Sequence, residues 1–232
     1  MEARAEVDHL VVAARSLDEG VQWCEHTLGV APGPGGAHPL MGTHNRLLAI
    51  GSETFPRSYL EIIAIDPAVR PTRAAGQHRW FDLDDGTLQG TLSQHGPQLI
   101  HFVARVANAH AAVHALAEVP MAIDRGEVIE ASRETAAGRL EWQISVRADG
   151  QRLLYGLLPT LIQWGAVHPC DAMAPSPVTL EALDASHPRP QAVQAALQVI
   201  GLAVPRVERG GPNLVATLQT PKGRLRLESK GT

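Results

Sequence analysis

Apolar and polar positions alternate with period two over VDHLVVAA. Val7, His9, Val11 and Ala13 share one face and Asp8, Leu10, Val12 and Ala14 the other. The period then changes. Leu17, Val21, Cys24 and Leu28 recur at helical spacing and form one apolar stripe. Ser16 and Glu19 stand at capping-box spacing ahead of that stripe, and Gly29 follows where a left-handed C-cap is wanted. The stretch from Val7 to Val30 is therefore predicted to be a strand followed by a capped helix.

The same succession of periods returns from Gln98 to Val119. His101 stands near the middle of an apolar strand, Asn108 is placed as an N-cap, and Ala109, Ala112, Val113 and Leu116 form the helical stripe. A further echo lies in YLEIIAI, which carries Glu61, and TLIQWGA, which carries Gln163 at the matching place. The chain reads as two copies of one strand–helix–strands unit. Each copy has one ligand-type residue in its first strand and one in its last.

Between and after these copies the pattern predicts the rest. APGPGGAHPLMGTHN is loop, and a strand runs from Arg46 to Ile50. Residues 67–97 form a connecting arm or lid, with short helices expected around 74–83 and 87–94. In the second copy, 139–147 and 152–159 read as strands joined through Ala148-Asp149-Gly150, a hairpin signal. The units are thus 1–66, the arm 67–97, 98–167, a proline-rich linker 168–177 and a partial third unit 178–232. That last unit shows a strand, a helix, and two short strands near 213–220 and 224–228.

Asp8-His9 ahead of apolar residues, and Leu28-Gly29 at the end of the first helix, resemble the vicinal oxygen chelate superfamily, which includes glyoxalase I, extradiol dioxygenases and bleomycin-resistance proteins. The longer pattern GGAHPLMGTHNRLLAIG…YLEIIAIDP…LIQWG is similar to its glyoxalase-like branch. The resemblance implies an α+β fold in which paired βαβββ modules form a curved mixed sheet cup, with a truncated third βαββ unit at the C-terminus. It also implies metal ligands in the first and last strands of each module: His9, Glu61, His101 and Gln163.

The residue types support that expectation. A carboxylate on an apolar strand face is costly unless something positive or hydrogen-bonding meets it. Two imidazoles and a carboxylate converging there would suit a divalent cation such as Zn, Fe, Mn or Ni. Gln163 is neutral and cannot serve as a base, which leaves Glu61 as the catalytic proton acceptor. His44, Asn45, Tyr59, Trp142 and Gln163 are expected around the substrate. The activity implied is a metal-dependent lyase/isomerase or dioxygenase acting on a small organic molecule with adjacent oxygens. The alternative is a metal-free protein that sequesters a small molecule.

Composition narrows the partners. The 232-residue chain has a net charge of −4 and no clustered excess of Lys and Arg, which argues against nucleic acid. No apolar run approaches membrane-spanning length, and no signal-peptide core is evident, so a cytoplasmic protein is expected. A homodimer through sheet edges is compatible with the pattern. Two cysteines make no disulfide framework: Cys24 falls on the helix stripe, and Cys170 lies in the linker without an evident partner. His110 and His114 lie off their helix stripe and lack the glutamate of a zinc motif, so they read as solvated surface.

Overall fold

In the computed structural model, strand β1 (Glu6–Ala13) is buried at every position after its first, so it must be covered on both faces. The structure describes residues 5–119, 121–135 and 138–232. Helix α1 (Leu17–Leu28) follows with half of the expected capping box: Ser16 accepts from the Glu19 amide at 3.2 Å while the Glu19 carboxylate lies 3.5 Å from Arg15 Nε, and Gly29 is left-handed as expected. Strands β2 (Ala37–His38), β3 (Thr43–Ala49) and β4 (Tyr59–Ile65) complete the first module. After the arm and its helix α2 (Gly86–His95), the second module comprises β5 (Gln98–Arg105), α3 (Ala109–Glu118), β6 (Glu127–Thr135), β7 (Gly138–Val146) and β8 (Thr160–Trp164).

The two modules share one eight-stranded sheet ordered β2-β3-β4-β1-β5-β8-β7-β6. Within each module the last strand pairs in parallel with the first, and the modules join through antiparallel β1 and β5. The curled sheet has two apolar faces. Leu10, Val12, Leu60, Ile62, Phe102 and Leu161 pack outward with α1 and α3, whereas Val11, Ala13, Ile63, Ile100, Val103, Ile144 and Ile162 face the inside of the cup. Trp80, Phe81, Leu83, Leu88 and Leu92 of the arm pack against that inner set. The arm therefore fills the cup.

Two local expectations are corrected, and one strand is added. The helix around 74–83 does not form, because Phe81 and Asp82 adopt left-handed φ values of 61° and 58° and the chain turns there. Arg152 holds that turn, with its Nε donating to Asp82 Oδ2 at 2.9 Å. The strand over 152–159 is replaced by a tight turn in which Leu154 and Tyr155 are left-handed, and β8 takes the place beside β7. Strand β6 forms from a mostly polar stretch: half-buried and exposed positions alternate from Ile129 to Thr135 and none is fully buried, as suits the edge of a sheet. Helix α2 occupies the second stretch expected to be helical, capped by Asp85 on the Leu88 amide at 2.9 Å.

The C-terminal unit has β9 (Thr179–His187), α4 (Pro190–Val199), β10 (Arg206–Arg209), β11 (Asn213–Thr220) and β12 (Gly223–Glu228). It forms a separate four-stranded sheet ordered β10-β9-β11-β12. The short polar β10 adds one strand to the predicted unit and pairs in parallel with β9, directly after the helix. In the two modules that parallel partner is instead the last strand. The unit joins the outer core and is fastened by Leu180, whose amide donates to Ile50 O at 2.8 Å.

Candidate functional site

His9 and Glu61 meet inside the cup because β1 and β4 are parallel neighbours and present these residues in cup-facing rows. His9 Nε2 lies 3.6 Å from Glu61 Oε2. The His9 ring stacks on Tyr59, with centroids 4.5 Å apart and planes 20° from parallel. Asn45 on β3 donates from Nδ2 to Glu61 Oε1 at 2.6 Å, while its Oδ1 accepts from the Gly36 amide at 2.7 Å. His38 lies beyond Asn45, with Nδ1 3.2 Å from Thr43 Oγ1.

Strict alternation would place Asp8 on the helix side of the sheet. Instead the pairing of β1 with β5 slips between Val7 and His9, which makes Asp8 the extra residue of a β-bulge and re-aims its side chain. Asp8 Oδ1 accepts from His9 Nδ1 at 2.7 Å, and Oδ2 accepts from Trp164 Nε1 at 2.9 Å and His168 Nε2 at 3.0 Å. His168 Nδ1 accepts from the Cys170 amide, so its proton resides on Nε2 and points at Asp8. Arg105 Nη1 approaches the same carboxylate at 3.5 Å. Asp8 has no solvent exposure, and each of its oxygens is satisfied.

These contacts set the charges. Burial disfavours an ionised Asp8, but hydrogen bonds from His168 and His9 outweigh it and hold the carboxyl well below the usual range. Burial likewise opposes a cationic His9, yet Asp8 and Glu61 together push its pKa up to about 9. Glu61 is held below its ordinary value, against burial, by His9 and Asn45. Burial takes His38 down to about 4, so it is neutral. At neutral pH the cup therefore holds an imidazolium between two carboxylates.

Trp80, Phe81, Arg133, Trp142, Ile144, Ile162 and Trp164 close the space around this group. What remains is a cavity of about 30 Å³, room for a water or two.

Of the expected site residues, His9, Asn45, Tyr59, Glu61 and Trp142 come together here. His44 lies in the alternate row of β3, with Nδ1 3.7 Å from Asp66. His101 is fully buried and spent within the protein: Nδ1 donates to Gly156 O at 2.8 Å, and Nε2 accepts from the Thr160 amide at 3.1 Å. Burial, then the charge of Arg125, keeps it neutral. The close approach of Gly156 requires glycine, since a Cβ there would fall 2.4 Å from Ile100 O at a left-handed φ of 79°.

Gln163 sits on the helix side of β8, where its Oε1 accepts from the Ala109 amide at 3.0 Å and caps α3. The cup-facing neighbours on that strand are Ile162 and Trp164. The four residues expected to bind a divalent cation thus do not converge. Among the described residues no three His, Cys, Asp or Glu side chains are grouped so as to hold a metal ion. Asp8, His38, Arg133 and His168 complete the surroundings of the site. Only Asp8 carried a signal in the sequence, through its adjacency to His9. Cys170 has a partner after all, its Sγ lying 3.1 Å from Arg57 O, and His110 and His114 are exposed. No helix among the described residues is long and apolar enough to cross a membrane.

A family model described as a glyoxalase-like domain matches residues 7–201. No curated protein matches the chain. Among solved structures, a Streptomyces coelicolor methylmalonyl-CoA epimerase variant in complex with 2-nitronate-propionyl-CoA is 18% identical, with 69% of this chain and 98% of that chain covered and a TM-score of 0.41. The Mycobacterium tuberculosis methylmalonyl-CoA epimerase is 16% identical, covering 72% and 92% at a TM-score of 0.37. A hypothetical protein from Bacillus halodurans is 12% identical, covering 71% and 96% at 0.38.

Proposed function

The chain belongs to the glyoxalase-like domain family of the vicinal oxygen chelate superfamily, and from that premise we propose that it catalyses proton transfer on a small carbonyl compound through His9 and Glu61. The observation that carries this reading is the buried imidazolium–carboxylate pair, at 3.6 Å, facing the inside of the cup. Divalent-ion chemistry would need a donor set this cup lacks, because both nitrogens of His101 are occupied and Gln163 lies on the far face.

Each residue has a distinct part. Asp8 stays ionised and fixes the His9 ring through Nδ1, which aims the Nε2–H into the cup. A substrate carbonyl oxygen that accepts this proton in a hydrogen bond takes it away from Glu61. The carboxylate then regains basicity and removes a proton from the carbon next to the carbonyl. Negative charge developing on the oxygen is met by the imidazolium in a site sheltered from water. Asn45 holds Glu61 Oε1, leaving Oε2 for the transfer. The arm acts as a lid in this reading, since Trp80 and Phe81 occupy space that an organic substrate needs.

The test is solvent deuterium exchange. The full chain is incubated in deuterium oxide with a panel of small ketones, 2-oxo acids and their esters, and loss of the carbonyl-adjacent proton signal is followed by NMR. Exchange is expected with the wild type, with a loss of at least about 100-fold in Glu61→Gln. Binding without exchange would overturn the catalytic reading in favour of a small-molecule sequestering protein.

A further inference from the structure

Arg133 enters the cup from the edge strand β6 and lines the same cavity as His9, Glu61, His38 and Tyr59. Its Nε and Nη1 are shielded from solvent and have no hydrogen-bond partner. A Cβ built on Gly36 would fall 1.8 Å from Nη1, so the guanidinium lies directly against the backbone ahead of β2. The indole Nε1 of Trp80, which lines the same cavity, is also buried without a partner. Every other ionised group of the cup is matched: Asp8 by His9, His168 and Trp164, Glu61 by His9 and Asn45.

Arg133 is half-buried, and two shielded guanidinium nitrogens with unmade hydrogen bonds are costly. Arginine is suited to recover that cost by meeting a planar carboxylate. Apart from His38 and Asn45, which face Glu61, the remaining walls are apolar or aromatic, so once the arm moves the cup offers an anion the Arg133 guanidinium and the Trp80 indole rather than the larger set of donors a phosphate demands. We propose that the cup takes a small 2-oxo acid, whose carboxylate pairs with Arg133 while its 2-oxo oxygen meets His9 and its third carbon meets Glu61. This assignment rests on the proton-transfer reading above. In the step itself the C3–H bond breaks and its proton passes to Glu61. The C2–C3 double bond forms, and the carbonyl electron pair moves onto the oxygen facing His9. Reversal with a solvent-derived deuteron restores the acid.

The experiment compares 2-oxobutanoate with its methyl ester, which keeps the ketone and lacks the charge. Affinity is measured by titration of the full chain, and C3 exchange is followed by NMR in the same samples. Wild type is expected to bind the acid and to lose roughly 10- to 100-fold in affinity on Arg133→Met, with Arg133→Lys recovering part of it and ester binding unchanged. Arg133 has no partner to lose through Nε or Nη1, so an unchanged melting temperature identifies folded variants. The inference is overturned if 2-oxobutanoate does not bind, if acid and ester bind alike, or if Arg133→Met leaves acid affinity intact. Arg133-dependent binding without C3 exchange would uphold the carboxylate subsite and sink the proton-transfer reading instead. Equal exchange of acid and ester would do the reverse.

Discussion

His9 Nε2 and Glu61 Oε2 stand 3.6 Å apart with side chains only 5% and 7% exposed. Water is nearly excluded from this ion pair, so it is far stronger than a surface pair and far more sensitive to what enters the cup. A ligand oxygen placed between the two groups changes both at once. That coupling links the electrostatics of the site to its chemistry.

The pair should appear in the pH dependence of stability. Folding raises the His9 pKa from 6.5 to about 9, so its contribution is full below the lower value and is lost as pH rises through the higher. The amount at stake is about 3 kcal/mol. Above pH of about 7.5, His38 and His101 are neutral in the unfolded chain as ordinary imidazoles and in the folded chain through burial. The Cys24 and Cys170 thiols, pushed up to about 12 by burial, add a fall of their own above about pH 9 that Glu61→Gln leaves in place. Urea denaturation should therefore show stability falling between about pH 7.5 and 9.5, with a shallower fall in Glu61→Gln. A flat wild-type profile would contradict the assignment.

Divalent ions should not stabilise the chain through the cup. Melting temperatures measured with added Zn²⁺, Ni²⁺ or Mn²⁺, and after dialysis against a chelator, are expected to coincide. A rise that grows with metal concentration and vanishes in His9→Ala would show that the cup binds an ion through His9 and contradict this expectation.

Gln163→Ala should cost stability and leave proton exchange alone. The amide oxygen caps α3 on the Ala109 amide, so the loss expected in chemical denaturation is about 1 kcal/mol. Loss of exchange at full stability would place Gln163 in the chemistry. His101→Ala should be harsher, about 2–4 kcal/mol, because it strands the Thr160 amide and the Gly156 carbonyl in the core.

The arm should open when its clasp is removed. Arg152 donates to Asp82 Oδ2 at 2.9 Å and to Ile100 O at 2.7 Å, and its side chain is 6% exposed. Arg152→Met is expected to cost about 3 kcal/mol and to raise amide hydrogen exchange across 80–83 above that of the sheet. Unchanged protection there would mean that core packing alone holds the arm.

Much of the fold was legible because local signals agreed. Ser16 and Gly29 bracket α1, Asn108 caps its helix, and the repeated strand–helix pattern matches the two modules of one sheet. The errors lie where long-range packing overrides period. Phe81 and Asp82 take left-handed conformations because Trp80 and Phe81 fill the cup, and 152–159 yields its place in the sheet to β8. At the site, period two placed His9 and Glu61 correctly in rows that meet across β1 and β4. It misplaced Asp8, because a bulge depends on the register of a partner strand about 95 residues away, which no local window contains. Gln163 looked equivalent to Glu61 by position in its segment, but the cup-facing row of β8 is Thr160, Ile162 and Trp164, one step out of phase.

The most direct test is the protonation of His9 itself, followed by NMR of the ring nitrogens from pH 6 to 10 in wild type and in Glu61→Gln. Both nitrogens should carry protons at neutral pH, with a midpoint near 9 that moves down when Glu61 loses its charge. A neutral ring at pH 7, or a midpoint indifferent to Glu61, would contradict it.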